Sequence, residues 1–171
     1  MIDGYADRIA RSVDAVRARI ASACRRAGRE PASVVLLAVT KFNPAEAVLA
    51  AYAAGIREFG ENRVQEAEAK FASIAGSVPG TAVHLLGHLQ SNKAKKAASL
   101  FDCIQSVDSE AILVELDRRA SEAGRMLEVL LELHTGEESK SGFADTDALL
   151  RAAEKADRKS TRLNSSHESP S

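Results

Sequence analysis

The sequence predicts an α/β fold, a parallel sheet with helices packed outside it. Three observations carry that prediction. From about residue 33 onward, apolar runs of strand length alternate with amphipathic stretches of helical length, the order that a parallel sheet with crossover helices requires. The connections between the runs are short. The first run, residues 33–40 (SVVLLAVT), is continuously aliphatic and β-branched, as expected of a strand covered on both faces.

Each element follows from its own residues. Residues 5–27 read as an amphipathic helix, because Ile9, Val13, Val16 and Ile20 recur at spacings of three and four with arginines between them. Gly28 and Pro31 end it. An arginine-rich N-terminal helix also resembles a mitochondrial transit peptide, but Asp3, Asp7 and Asp14 oppose that, since such peptides are poor in acids. No apolar stretch there matches a secretory signal. After the strand at 33–40, Asn43 is expected to cap a helix over 44–54 with Pro44 at its first position, and Gly55 to stop it. A short strand at 57–60 precedes a helix at 62–75. A strand at 81–86 precedes a helix at 91–100 capped by Ser91. A strand at 102–106 precedes a helix at 109–123 ended by Gly124. A strand at 126–133, a polar loop at 134–143 and a helix at 145–156 complete about five βα units. Two architectures fit them, an open doubly wound sheet and a closed (β/α)8 barrel. The lack of a GxGxxG after the first strand weakens the dinucleotide-binding version of the former.

Composition narrows the function classes. The chain has 171 residues, 45% hydrophobic and 27% charged, with 23 basic against 24 acidic side chains. That describes a soluble domain with a real core. It lacks the basic excess of a nucleic-acid reader, and no apolar run reaches the roughly 18 residues of a membrane span. Cys24 and Cys103 make no disulfide framework and no metal-ligand spacing, so a reducing, cytoplasmic compartment is expected.

In either architecture chemistry belongs where strands end and βα loops begin. The first strand ends in Thr40-Lys41-Phe42. Side-chain alternation puts Lys41 on the face of Val35, Leu37 and Val39. An amine set among aliphatic groups can act in its neutral form and attack an aldehyde, although a lysine at a strand end more often extends to solvent or pairs with a carboxylate. The second strand ends in Gly60-Glu61-Asn62, where Asn62 could cap the next helix or bind a ligand through its amide. The third runs through His84 into Gly87-His88-Leu89-Gln90-Ser91-Asn92-Lys93. No carboxylate or cysteine stands at ligand spacing from these histidines, so a hydrogen-bonded core histidine is expected rather than a metal ligand. The fifth strand ends in His134-Thr135-Gly136-Glu137-Glu138-Ser139-Lys140-Ser141-Gly142, a polar loop holding a second lysine, Lys140.

Together the segments AVTKFNPAEAV (38–48), FGENRVQEA (59–67), HLLGHLQSNK (84–93) and HTGEESKSGF (134–143) resemble the pyridoxal-phosphate homeostasis proteins, the YggS/PROSC family. Four motifs in the right order make the resemblance specific, and it runs to about residue 156. It implies a (β/α)8 TIM barrel of PLP fold type III, like the barrel domain of alanine racemase without a second domain. It implies pyridoxal 5'-phosphate (PLP) as cofactor, held as an aldimine on Lys41, with Asn62, His84 and Lys140 among the cofactor-binding residues. One departure stands out: the family commonly has asparagine where this chain has His134.

A (β/α)8 barrel needs about 250 residues, and the family's later phosphate-binding segments are absent here. Residues 1–156 are therefore expected to be a partial barrel with its N-terminal helix, truncated after about five βα units. Such a piece would leave sheet edges open and hold PLP weakly. Residues 157–171 (DRKSTRLNSSHESPS) lack apolar periodicity and are expected to be a non-native polar tail. Residues 157–167 can be encoded by DNA resembling a sequencing-library adapter.

The resemblance implies a PLP-binding homeostasis or carrier protein that exchanges PLP with free amines, amino acids or PLP-dependent apoenzymes, with neither nucleic acid nor membrane as partner. The alternative is a PLP-dependent amino-acid racemase. Racemisation needs bases on both faces of the bound substrate, and the tyrosines, Tyr5 and Tyr52, both fall on helices. A third class, a cofactor-independent Schiff-base aldolase, would need an acid/base network that the sequence does not display.

Overall fold

The computed structural model describes residues 3–136, 141–156 and 161–163. Helices α1 (Asp3–Arg26), α2 (Ala45–Ala53), α3 (Val64–Ser73), α4 (Ala94–Leu100), α5 (Glu110–Glu122) and α6 (Thr146–Ala156) accompany strands β1 (Leu37–Val39), β2 (Glu58–Glu61), β3 (Ala82–Leu85), β4 (Cys103–Val107), β5 (Leu127–Leu131) and β6 (Thr161–Leu163), in the order of the expected βα alternation. Strand order follows chain order, and the pairs with a defined register are parallel. The α/β class is thus as the sequence predicts. The chain divides into two compact units, residues 1–60 with 67–82, and residues 61–66 with 83–171.

In the first unit β1 pairs with β2 in the register Leu37 to Glu58 and Val39 to Gly60. Ala82, at the start of β3, donates its N–H to the Arg57 carbonyl at 2.9 Å. The core is a cluster of Val48, Ala51, Ile56, Phe59, Ile74 and Val78, with Ile9 and Val13 of α1 packed on it. The 3.6-residue period of α1 turns these two side chains to one face. Arg17, on the same helix, donates to the carbonyls of Ala54 and Gly55 at 2.8 and 2.9 Å. It thereby caps carbonyls that the end of α2 leaves without helical partners. Gly55 ends that helix with φ +85°.

The first strand is shorter than expected. Residues 31–33 form a 3-10 turn, and pairing covers only Leu37–Val39. Nor is the strand covered on both faces. Leu36 and Ala38 pack on the core cluster, while Val35 is 71% and Val39 47% exposed. Alternation sends neighbouring residues to opposite faces, and the face toward the core cluster is half-buried. Asn43 does not cap α2. Pro44 holds that position, and the Asn43 amide donates to the Lys41 carbonyl at 3.0 Å.

In the second unit the Leu86 N–H donates to the Glu61 carbonyl at 2.8 Å. Pairing continues from β3 to β4, β5 and β6. The core holds Phe101, Ile104, Leu116, Leu127 and Val129, all fully buried. Arg125 repeats the device of Arg17, donating to the carbonyls of Ala98, Ser99 and Phe101 at the end of α4 and to the Asp102 carboxylate. Asp102 in turn accepts the Val83 N–H at 2.8 Å. Ser109 caps α5, accepting from the Ile112 N–H. On the outer face of α5, hydrogen bonds from Arg118 and Arg119 hold the Glu115 carboxyl below its ordinary range. The helix at 91–100 opens as a 3-10 turn at Ser91–Lys93, without a side-chain cap from Ser91. Thr161–Leu163 pairs with β5, so this part of the polar 157–171 stretch carries strand backbone. A β5 edge presents unpaired N–H and C=O groups that a polar segment can satisfy as well as an apolar one.

Phe59 is fully buried and its ring lies 6.2 Å from that of Phe71. Phe59→Ala is expected to cost about 3–5 kcal/mol, the usual range for emptying a buried aromatic site, read as a lower urea midpoint.

Candidate functional site

Lys41 lies in the first unit, just past β1, in a turn whose geometry is over-determined. The Thr40 N–H donates to the Gly60 carbonyl at 2.9 Å, which carries the β1–β2 pairing one residue beyond the strand. The Thr40 carbonyl then accepts twice, from the Asn43 N–H at 3.0 Å and from Lys70 Nζ at 2.7 Å. Between these anchors stand Lys41 and Phe42. Phe42 has φ +62°, the sole positive φ outside glycine among the described residues. For a bulky residue that is a strained backbone. Its ring is 79% exposed and recovers little by packing. Lys41 is half-buried, and among the described residues its ammonium has neither carboxylate partner nor hydrogen bond. A salt-bridged strand-end lysine, the commoner arrangement, is therefore not what the turn builds.

Asn62 and His84 lie in the second unit. Asn62 is half-buried, and its side chain makes no cap to α3, which begins at Val64. It borders a cavity of about 370 Å³ together with Arg63, Gly87, His88, Gln90 and Lys93. The sequence motifs around Asn62 and Gly87 thus come together in space. The contact is made by backbone: a Cβ on Gly87 would stand 2.2 Å from the Asn62 carbonyl oxygen. Only glycine allows that approach. The Ser106 hydroxyl fixes the same loop by donating to the Gly87 carbonyl at 2.7 Å. His84, on β3, is half-buried, and its Nδ1 is 2.9 Å from the Gln105 amide on β4. The amide nitrogen donates, so Nδ1 accepts and the ring is held in one orientation. Lys140 lies outside the described residues.

Two groups escaped the sequence reading. Phe42 gave no signal, because phenylalanine has no preference for positive φ. Asp108, at the end of β4, gave none either. Its carboxylate receives His88 Nδ1 at 2.9 Å, and the two residues come from different βα connections.

A sequence model of the alanine racemase N-terminal domain family matches residues 12–166. The pyridoxal phosphate homeostasis protein of Pseudomonas aeruginosa is 44% identical over 140 residues, covering 81% of this chain and 60% of the relative. That of Escherichia coli K12 is 40% identical over 149 residues, covering 84% and 63%. The chain thus spans about 60% of the length of these curated relatives. Among solved structures, PipY of Synechococcus elongatus with PLP bound superposes with a TM-score of 0.70 at 42% identity, covering 86% of this chain and 67% of PipY. Alanine racemase of Clostridium difficile superposes at 0.62 with 12% identity, covering 77% and 34%, a likeness of fold.

The strain at Phe42 has a measurable size. Phe42→Gly is expected to raise stability by about 1 kcal/mol, because glycine adopts the same φ without steric cost. Equilibrium urea denaturation of the two chains checks it.

Proposed function

Because the chain belongs to the alanine racemase N-terminal domain family, we propose that it binds PLP, serves PLP homeostasis, and carries the cofactor on Lys41. The observation that supports this most directly is Lys41 itself, half-buried, without a carboxylate partner among the described residues, on a turn anchored by the doubly accepting Thr40 carbonyl. The chemistry of Lys41 suits the group, since a primary amine can hold an aldehyde. When bound, PLP supplies an aldehyde that condenses with primary amines and a phosphate that requires N–H donors.

In this reading Lys41 would hold the group through its amine, and the anchored turn would limit where that amine can reach. Asn62 would donate or accept through its amide. His84 is held by the Gln105 amide. Lys140 is the second lysine of the proposed site. The open face of β1, with Val35 and Val39 uncovered, suits the inside of a (β/α)8 barrel of which residues 1–156 supply the first βα units. The exchange partners would be free amines, amino acids or PLP-dependent apoenzymes in the cytoplasm. No described helix is long and apolar enough to cross a membrane.

A carrier is favoured over a racemase by the state of the tyrosines. Tyr52 donates its hydroxyl to the Pro79 carbonyl at 3.1 Å, and its ring lies 3.9 Å beneath the Arg57 guanidinium. Tyr5 is on α1 under Arg8. Neither is placed at a strand end to act as a base.

Borohydride reduction of the PLP-loaded protein is expected to leave a pyridoxyl group on Lys41, identified by peptide mass spectrometry. Lys41→Ala should abolish the yellow absorbance while leaving the thermal transition in place. Labelling at Lys93 or Lys140 with Lys41 unmodified would overturn the assignment.

Turnover separates the two classes. Alanine racemisation is expected to stay at the level of free PLP. Steady turnover above that level, lost in Lys41→Ala, would make the protein an enzyme.

A further inference from the structure

The outer face of α1 carries a charge pattern that the proposed function leaves unused. The inner face, through Ile9 and Val13, packs on the core of the first unit. At about 100° per residue the opposite face gathers Arg8, Arg11, Arg19 and Arg26 within an arc of about 80°. All four are exposed, as is Arg25 beside them. The other residues of the arc are Gly4, Ala15 and Ser22, so no carboxylate of the helix shares it. The chain as a whole has a formal net charge of -1. The stripe is therefore a local concentration of cations and not part of a general basic excess.

Among the described residues none of these arginines has a carboxylate partner. Asp7 and Asp14 stand one turn from Arg11 and pair with none of them. Arg8 lies over the Tyr5 ring at 5.5 Å, and Arg26 donates to the Ser22 hydroxyl at 2.9 Å. Other surface arginines of the chain are matched. Arg118 and Arg119 bridge to Glu115 and Glu122 at 2.7 to 3.0 Å, and Arg63 bridges to Glu66 at 2.9 Å. A merely solvated face intersperses both signs, and like charges one turn apart, as at Arg8 and Arg11, weaken a helix slightly. The stripe thus adds nothing to folding, and its unmatched charge is complementary to an anion outside the fold.

We infer that α1 docks an acidic α-helix of a partner protein along this stripe. The spacing selects a helix. Arg11, Arg19 and Arg26 follow one another after eight and seven residues, about 12 and about 10.5 Å along the axis. A second helix repeats one face every two turns, about 10.5 Å, whereas an extended strand repeats it about every 6.8 Å. Ala15 and Ser22, between the arginines, leave room for a close approach. A single-stranded nucleic acid would need stacking surface, and the Tyr5 ring is already covered by Arg8. A lipid surface would need the apolar face of the helix, and Ile9 and Val13 are packed on the core. A second copy of α1 would set arginine against arginine. The surface stands on the first unit alone and does not depend on Lys41 carrying a cofactor.

The test is a fluorescence anisotropy titration of the full chain against labelled, alanine-based helical peptides of about 20 residues, enough to span the stripe. The first peptide carries glutamates on one face at two-turn intervals. The second carries glutamines there, and the third has the same number of glutamates spread around the helix. A uridine oligonucleotide and vesicles of phosphatidylserine and phosphatidylcholine are titrated alongside. The first peptide is expected to bind saturably and to weaken as salt rises. The glutamine peptide should bind about tenfold more weakly, and the dispersed peptide about threefold. Arg11→Gln with Arg19→Gln should weaken the first peptide about tenfold and leave the thermal transition unchanged. Arg118→Gln with Arg119→Gln, the same change in net charge on α5, should leave its affinity as it is. Equal binding of the glutamine or dispersed peptide would overturn the proposal. So would equal losses in the two double variants, tighter binding of the oligonucleotide or the vesicles, or no saturable binding of the first peptide.

Discussion

Parallel strands cannot be joined by a hairpin, and the architecture of this chain answers that constraint. Each strand must hand the chain to a helix that carries it back to the starting edge. Every return leaves a helix end whose last carbonyls have no helical partner. In each unit an arginine resolves this. Arg17 reaches from α1 to the end of α2, and Arg125 reaches from beyond α5 to the end of α4 and to Asp102. The helix ends are thereby closed near the strand beginnings. The opposite strand ends remain for polar turns, and there Lys41, Asn62, His88, Asp108 and His134 are found.

The turn after β1 shows how such an end is held. A single carbonyl, that of Thr40, takes two donors, one from the turn itself and one from Lys70 on α3. Backbone strain at Phe42 persists because these bonds, with the β1–β2 pairing, leave the turn no relaxed alternative nearby. Local discomfort at a polar strand end is thus supported by hydrogen bonds made elsewhere in the same unit.

What the sequence made legible was local chemistry. The stops at Gly55 and Gly124 follow from the residues themselves, and both glycines have positive φ. The alternation of elements and the position of Lys41 were legible for the same reason. Strand length was not. The aliphatic run at 33–40 has strand propensity throughout, but a strand is only as long as its partner, and β2 is four residues. The role of Asn43 is not legible in the sequence because its amide has two outlets, α2 and the Lys41 carbonyl, and the turn takes it. The pairing of His88 with Asp108 was invisible because it joins two connections that approach only after β3 and β4 pair.

The approach of Gly87 to Asn62 has a consequence for how such a site can be recognised across many sequences. The contact is between a missing side chain and a main-chain oxygen. Changing the side chain at position 62 cannot relieve an intrusion at position 87, since the obstructing atom belongs to the backbone that every residue shares. Correlated substitution, the trace by which touching positions are commonly detected, has nothing here to act on. Two of the most intimately joined segments of the molecule would look statistically independent.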